Sequence, residues 1–182
     1  MKKIILTLFL SVCAVCVMAQ NYVEFLGMPI NGSTKSKFIE KLTEKGFTYK
    51  GEMDGYVMYI GQFLGHDASV TLCPSATDDG ITAIGVSLDE LNPVKMGHLL
   101  AELTQKYMQK YSDYNYTTDT KSGGSTVIML RKKMPNGLLE VVSLETKIKG
   151  TKFGISLFYG SGIHPDNNTA TNNGYGIGMD DI

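Results

Sequence analysis

Residues 126–159 read TVIMLRKKMPNGLLEVVSLETKIKGTKFGISLFY, and this stretch decides the fold. Thr126–Lys133, Leu138–Ile148 and Lys152–Tyr159 are apolar-rich runs bounded by turn residues, the pattern of β-strands. Pro135-Asn136-Gly137 separates the first two, and Lys149-Gly150-Thr151 the last two. The Asn-Gly pair tolerates positive φ at both central positions of a two-residue hairpin, so adjacent strands should run antiparallel. Successive side chains of a strand point to opposite faces. Leu138, Val142, Leu144 and Ile148 therefore oppose Ser143, Glu145 and Lys147. Phe153, Ile155, Leu157 and Tyr159 likewise oppose Lys152, Gly154, Ser156 and Phe158. Such alternation describes an antiparallel sheet with one face covered and one face open.

Working outward, a helix over Pro93–Ser112 precedes this meander. Asn92 caps it and Pro93 sits at its first position, where a missing N–H costs nothing. Met96, Leu99, Leu100, Leu103, Tyr107 and Tyr111 recur at helical spacing. A shorter helix over Thr34–Lys45 carries Phe38, Ile39 and Leu42, with Ser33 or Thr34 as its cap. Gly46 and Phe47 predict a Schellman stop, with Phe47 meeting Leu42. Further strands fall at Phe47–Glu52, Tyr56–Phe63, Ser69–Cys73, Ile81–Leu88 and Tyr114–Lys121, punctuated by Asp54-Gly55, Gly65-His66-Asp67, Asp78-Asp79-Gly80 and Ser122-Gly123-Gly124. The order is a helix and four strands, twice. We expect an α+β fold: an antiparallel sheet of about eight strands, built from tandem helix-plus-four-strand units over 24–90 and 91–160, with both helices on one face.

The ends of the chain read differently. Lys2-Lys3, an apolar run over Ile4–Met18 and Val17-Met18-Ala19 have the pattern of a secretory signal cut before Gln20, so 1–19 is read as a leader and 20–160 as a single domain. The run is short of the length needed to span a bilayer, and no stable transmembrane segment should remain. A lipoprotein reading through Leu10-Ser11-Val12-Cys13 is less favoured, because Val12 stands where a small residue belongs. The expected location is periplasmic or secreted. Residues 161–182 turn rich in Asn, Gly, Asp and Thr and read as a flexible tail. With Cys13 and Cys16 in the leader, Cys73 is left alone and reads as a small hydrophobe in a strand.

Composition narrows the function. The 182 residues carry 17 basic and 18 acidic side chains, which excludes the strongly basic surface of a nucleic-acid binder. His66 reads as a turn residue and His98 as a helix-surface residue, and His66, His98 and His164 lack the spacing of a helical metal site. Asp78-Asp79-Gly80 lacks the alternating ligands of a calcium loop and is read as a turn. Gly174-Tyr175-Gly176-Ile177-Gly178 has no helix to open, so it is not read as a phosphate loop. Glu140 and Glu145 have opposite phases on one strand and cannot form an acid–base pair there. No catalytic residue, metal or cofactor is therefore assigned. The candidate binding residues are Ser143, Glu145, Lys147, Lys152 and Ser156 on the open face, and Tyr114 and Tyr116 beside the second helix, since tyrosine suits interfaces.

Glu24-Phe25-Leu26-Gly27-Met28-Pro29-Ile30-Asn31-Gly32, Lys45-Gly46-Phe47 and Tyr59-Ile60-Gly61-Gln62-Phe63-Leu64-Gly65 resemble the F-x-G-x-P-x-x-G start, K-G-F helix end and Y-x-G-x-F-x-G strand of a group of small exported proteins of Bacteroidetes. The group carries no assigned catalytic residues. The tandem order is also similar to the β-lactamase inhibitor protein fold, in which two such units join into one curved sheet that grips a partner. The inhibitor's disulfides have no counterpart here. The function expected from these readings is a non-catalytic protein- or ligand-binding module, with another exported or envelope protein as the expected partner. The alternatives are a hydrolytic or sugar-active enzyme and a structural or assembly component of the envelope.

Overall fold

The computed structural model describes residues 22–163. The expected leader lies outside them, as do His164 and the glycine-rich tail sequence. A short hairpin, β1 (Glu24–Phe25) and β2 (Met28–Pro29), precedes helix α1 (Lys35–Glu44). Four strands follow: β3 (Thr48–Met53), β4 (Tyr56–Phe63), β5 (His66–Pro74) and β6 (Ile81–Leu91). Helix α2 (Pro93–Lys110) then leads into β7 (Asn115–Thr120), β8 (Thr126–Lys133), β9 (Leu139–Lys149) and β10 (Lys152–Ile163). The large sheet has the order β3-β4-β5-β6-β10-β9-β8-β7, antiparallel throughout. The two helix-plus-four-strand units thus meet through their last strands.

The helix ends form as their sequences dictate. Thr34 Oγ1 accepts from the Lys37 N–H at 3.3 Å, and Asn92 Oδ1 from the Lys95 N–H at 2.8 Å. Such caps satisfy N–H groups that have no partner within the helix. At the end of α1, Phe47 N–H reaches Leu42 O at 2.9 Å and Gly46 N–H reaches Thr43 O at 3.0 Å, the two bonds of a Schellman stop. Gly46 has φ +82°, where a side chain would be strained.

Both helices feed one core. Phe38 and Leu42 of α1 and Leu99 and Leu103 of α2 join Val57, Tyr59, Val70, Leu72, Ile84, Val86, Ile128, Leu130, Val142, Leu144, Ile155, Leu157 and Tyr159. These strand residues share one phase across six strands, so the helices cover one face of the sheet. Phe25 of the small hairpin completes that layer, its ring centroid 5.6 Å from Phe63 and 5.3 Å from Tyr159.

Three local expectations need correction, and one element is new. His66 opens β5 opposite Phe63, because Leu64 and Gly65 (φ +54° and +78°) make the turn by themselves. The Pro135-Asn136-Gly137 hairpin is not a two-residue turn with both φ values positive: Gly137 alone is at positive φ, +84°. Proline locks a negative φ at the first turn position, so the chain takes a three-residue loop with glycine in the left-handed place. Strand β10 runs through Ser161 to Ile163, past the expected tail boundary at 161, because Ser161 pairs with Glu140. The β1–β2 hairpin was unforeseen, since Leu26-Gly27 (φ +51° and +78°) is an unusual pair for a tight turn.

Candidate functional site

The sheet face away from the helices carries five of the seven candidate residues. Strand register places its side chains in rows. One row runs Met58, Thr71, Gly85, Phe158, Ser143, Met129 and Thr117 from β4 to β7. The next runs Ile60, Ser69, Ser87, Ser156, Glu145, Val127 and Asp119. Lys147 follows opposite Gly154, and Lys152 lies beyond on β10. Ser143, Glu145, Lys147, Lys152 and Ser156 therefore do share one face.

The middle of this face is small, hydroxylic and partly apolar. Ser69, Ser87 and Ser156 stand side by side on β5, β6 and β10, flanked by Gly85 and Thr71. Phe158 is half-buried, and its ring covers Gly160, where an added Cβ would lie 2.8 Å from Phe158 Cε1. Ala83, Val127 and Val141 are buried on this side without belonging to the helix-side core. Charge sits toward one end. Lys121 Nζ bonds Glu145 Oε1 at 2.7 Å, and Lys152 Nζ bonds Glu90 Oε1 at 3.0 Å. The Glu90 carboxylate raises the Lys152 ammonium above its ordinary value by accepting that bond. Cys73 also faces this side, opposite Ala83, and burial pushes its thiol up to about 11.

The two tyrosine candidates lie elsewhere. Tyr114 is 7% exposed and precedes β7, on the helix side. Its hydroxyl donates to Glu140 Oε2 at 2.5 Å. It is an interior group, and the surface role read from sequence does not fit its burial. Tyr116 is 42% exposed at the sheet edge and pairs with Leu130, so it too faces the helix side. Neither joins the open face.

Glu140, weighed from sequence only as a partner for Glu145, is the buried charge that sequence reading did not foresee. It is 2% exposed and accepts from Tyr114 and, at 3.4 Å, from Ser161 Oγ. Burial and the Glu140 charge together raise the Tyr114 phenol well above its ordinary value. Nearby, the Tyr107 and Tyr159 hydroxyls bond each other and the Glu24 N–H donates to Tyr111 Oη at 3.2 Å. Burial raises Tyr107 to about 12 and Tyr159 well above its ordinary value. The signal was in the strand phase: Glu140 falls on the apolar side with Val142 and Leu144, where a carboxylate must be enclosed and bonded. So enclosed, it anchors α2 and β7 to β9 and β10.

Among the described residues, no group of three His, Cys, Asp or Glu side chains is placed to hold a metal ion. No helix among them is long and apolar enough to cross a membrane. The chain matches no protein-family model, no curated protein and no solved structure.

Proposed function

We propose that this protein is an exported, non-catalytic binding module that engages another exported or envelope protein through the open face of its sheet. The supporting observation is Phe158. A half-buried aromatic ring stands in the middle of the face away from the helices, which no element among the described residues covers, between Gly85 and Ser143. Ser143, Ser156 and Met129 lie half-buried around it, Thr71 and Ser87 beyond Gly85 are buried, and the charged pairs stand off toward one end. An apolar centre with a polar rim is the anatomy of a protein–protein interface. A surface built on rigid strands also loses little conformational freedom on binding. Export is supported by the leader pattern over 1–19.

The test is affinity capture. The chain is immobilised and exposed to solubilised envelope and medium proteins of the producing cell at two salt concentrations. One stoichiometric partner that survives moderate salt, and is lost with Ser156→Arg, supports the proposal. Ser156 is half-buried on the open face, so the bulky cation blocks contact without entering the helix-side core. Absence of a partner at both salts, or capture unchanged by Ser156→Arg, overturns it.

A further inference from the structure

The sheet has two edges, β3 and β7. Edge strands expose unpaired N–H and C=O groups, and proteins blunt them with bulges, Lys or Pro. Strand β3 is blunted: its register slips between Tyr49 and Gly51, leaving Lys50 as the extra residue. Strand β7, Asn-Tyr-Thr-Thr-Asp-Thr, has no Lys, no Pro and no slip, and all six residues are exposed.

The hairpin fixes which groups face outward. Lys121 N–H bonds Ser125 O at 2.8 Å, closing the loop between β7 and β8. Thr126 N–H turns away from β7 and bonds Thr146 Oγ1 on β9 at 2.7 Å. Because bonded and non-bonded pairs alternate in an antiparallel ladder, Asn115, Thr117 and Asp119 bond β8. Tyr116 and Thr118 then direct their N–H and C=O groups to the free edge. The Thr120 N–H is held by Asp119 Oδ1 at 2.7 Å, which ends the available edge at Thr118.

We propose that this edge pairs with the same edge of a second copy, about a two-fold axis perpendicular to the sheet at Thr117. In that register, Tyr116 and Thr118 exchange main-chain hydrogen bonds reciprocally between the chains, using the groups left unpaired by β8. Thr117 faces Thr117 of the second copy, a favourable cross-strand pair. Asn115 faces Asp119 of the second copy, an amide donor against a carboxylate, and like charges are not opposed. A different register that keeps the faces matched, centred on Thr118, would direct Tyr116 to Thr120, whose N–H is already taken.

A second feature fits the same partner. A groove of about 580 Å3 runs along α2 beside β8, lined by Gly97, Leu100, Ala101, Thr104, Met108 and Ile128 among others. Ile128 pairs with Thr118 on the helix side. Tyr116 of the second copy would pair with Thr118 on that side and stand two strand spacings, about 10 Å, from Ile128, within reach of the groove for a leaning tyrosine. Tyr116 is among the exposed large hydrophobic residues, as is Met108 at the groove.

The test uses the chain as the producing cell processes it. Sedimentation over a wide concentration range should show a reversible dimer. Thr117→Lys, which opposes two cations across the axis on an exposed strand, should weaken association at least about tenfold while leaving the circular dichroism unchanged. In a Cys73→Ser background, Thr117→Cys should oxidise to a disulfide-linked dimer, since non-bonded antiparallel pairs bring Cα atoms to about 4.5 Å, within disulfide range. Thr118→Cys should not. A chain that is monomeric throughout, a dimer indifferent to Thr117→Lys, or cross-linking through Thr118→Cys instead of Thr117→Cys would each overturn the proposal. A monomer that binds an extended peptide at β7 would also overturn it, assigning the edge to a different partner.

Discussion

Replacing Tyr114 by Phe isolates the contribution of one buried hydroxyl. The phenol donates to Glu140 at 2.5 Å, and the carboxylate is 2% exposed. Without that donor, Glu140 keeps Ser161 Oγ at 3.4 Å, beyond the usual range for an O–H···O bond. Hydrogen bonds to charged groups contribute about 1.5–3 kcal/mol, and a stranded buried acceptor adds its own desolvation cost. We therefore expect Tyr114→Phe to lose about 2–3 kcal/mol of stability. For a domain of this size that corresponds to a fall in Tm of roughly 6–10 °C. The chain has no Trp, so tyrosine near-ultraviolet circular dichroism during urea unfolding is the assay. A double-mutant cycle with Glu140→Gln should give a coupling of at least about 1 kcal/mol. A loss below about 0.5 kcal/mol for Tyr114→Phe would refute the reasoning, because the pair would then be no better than its solvated parts.

Three further outcomes are expected. Tyr107, Tyr114 and Tyr159 have folded-state values above the ordinary tyrosine value, so the unfolded chain releases protons first and stability should fall as pH rises above about 10. Each such group contributes a slope of up to about 1.4 kcal/mol per pH unit, and alkaline melts of Tyr107→Phe should show a shallower fall. Thr34→Ala should cost about 1 kcal/mol, read from urea midpoints, by leaving the Lys37 N–H without its cap. The Cys73 thiol, raised to about 11, should react with a disulfide reagent at pH 8 roughly a hundredfold more slowly than a free cysteine. Equal rates would show that β5 opens readily.

Much of the architecture was legible because its signals are local. Caps at Thr34 and Asn92, the Gly46-Phe47 stop and the period-two alternation of Leu138–Ile148 depend on neighbours a few residues away. Register also follows from alternation, since a slip by one residue would expose the apolar phase. The same logic grouped Ser143, Glu145 and Lys147, and Lys152 with Ser156, before any pairing was known. Tyr114 was misjudged for the complementary reason. Its environment is set by Glu140 and Ser161, which are far from it in sequence, and a tyrosine's amphipathic side chain suits an interior bond as well as a surface.

The sequence by itself determined the two helices, eight of the strands, the antiparallel sense and the separation of an apolar from a polar face, because these rest on propensity and periodicity. Only the tertiary structure decided that β6 and β10 join the units, that Ser69, Ser87, Ser156 and Phe158 converge on one face, and that Tyr114 closes over Glu140. It also decided which strands form the two edges of the sheet among the described residues. Strand order and cross-strand neighbours come from packing one layer of two helices onto one face of one sheet, a choice made among whole arrangements and written in no single stretch of residues.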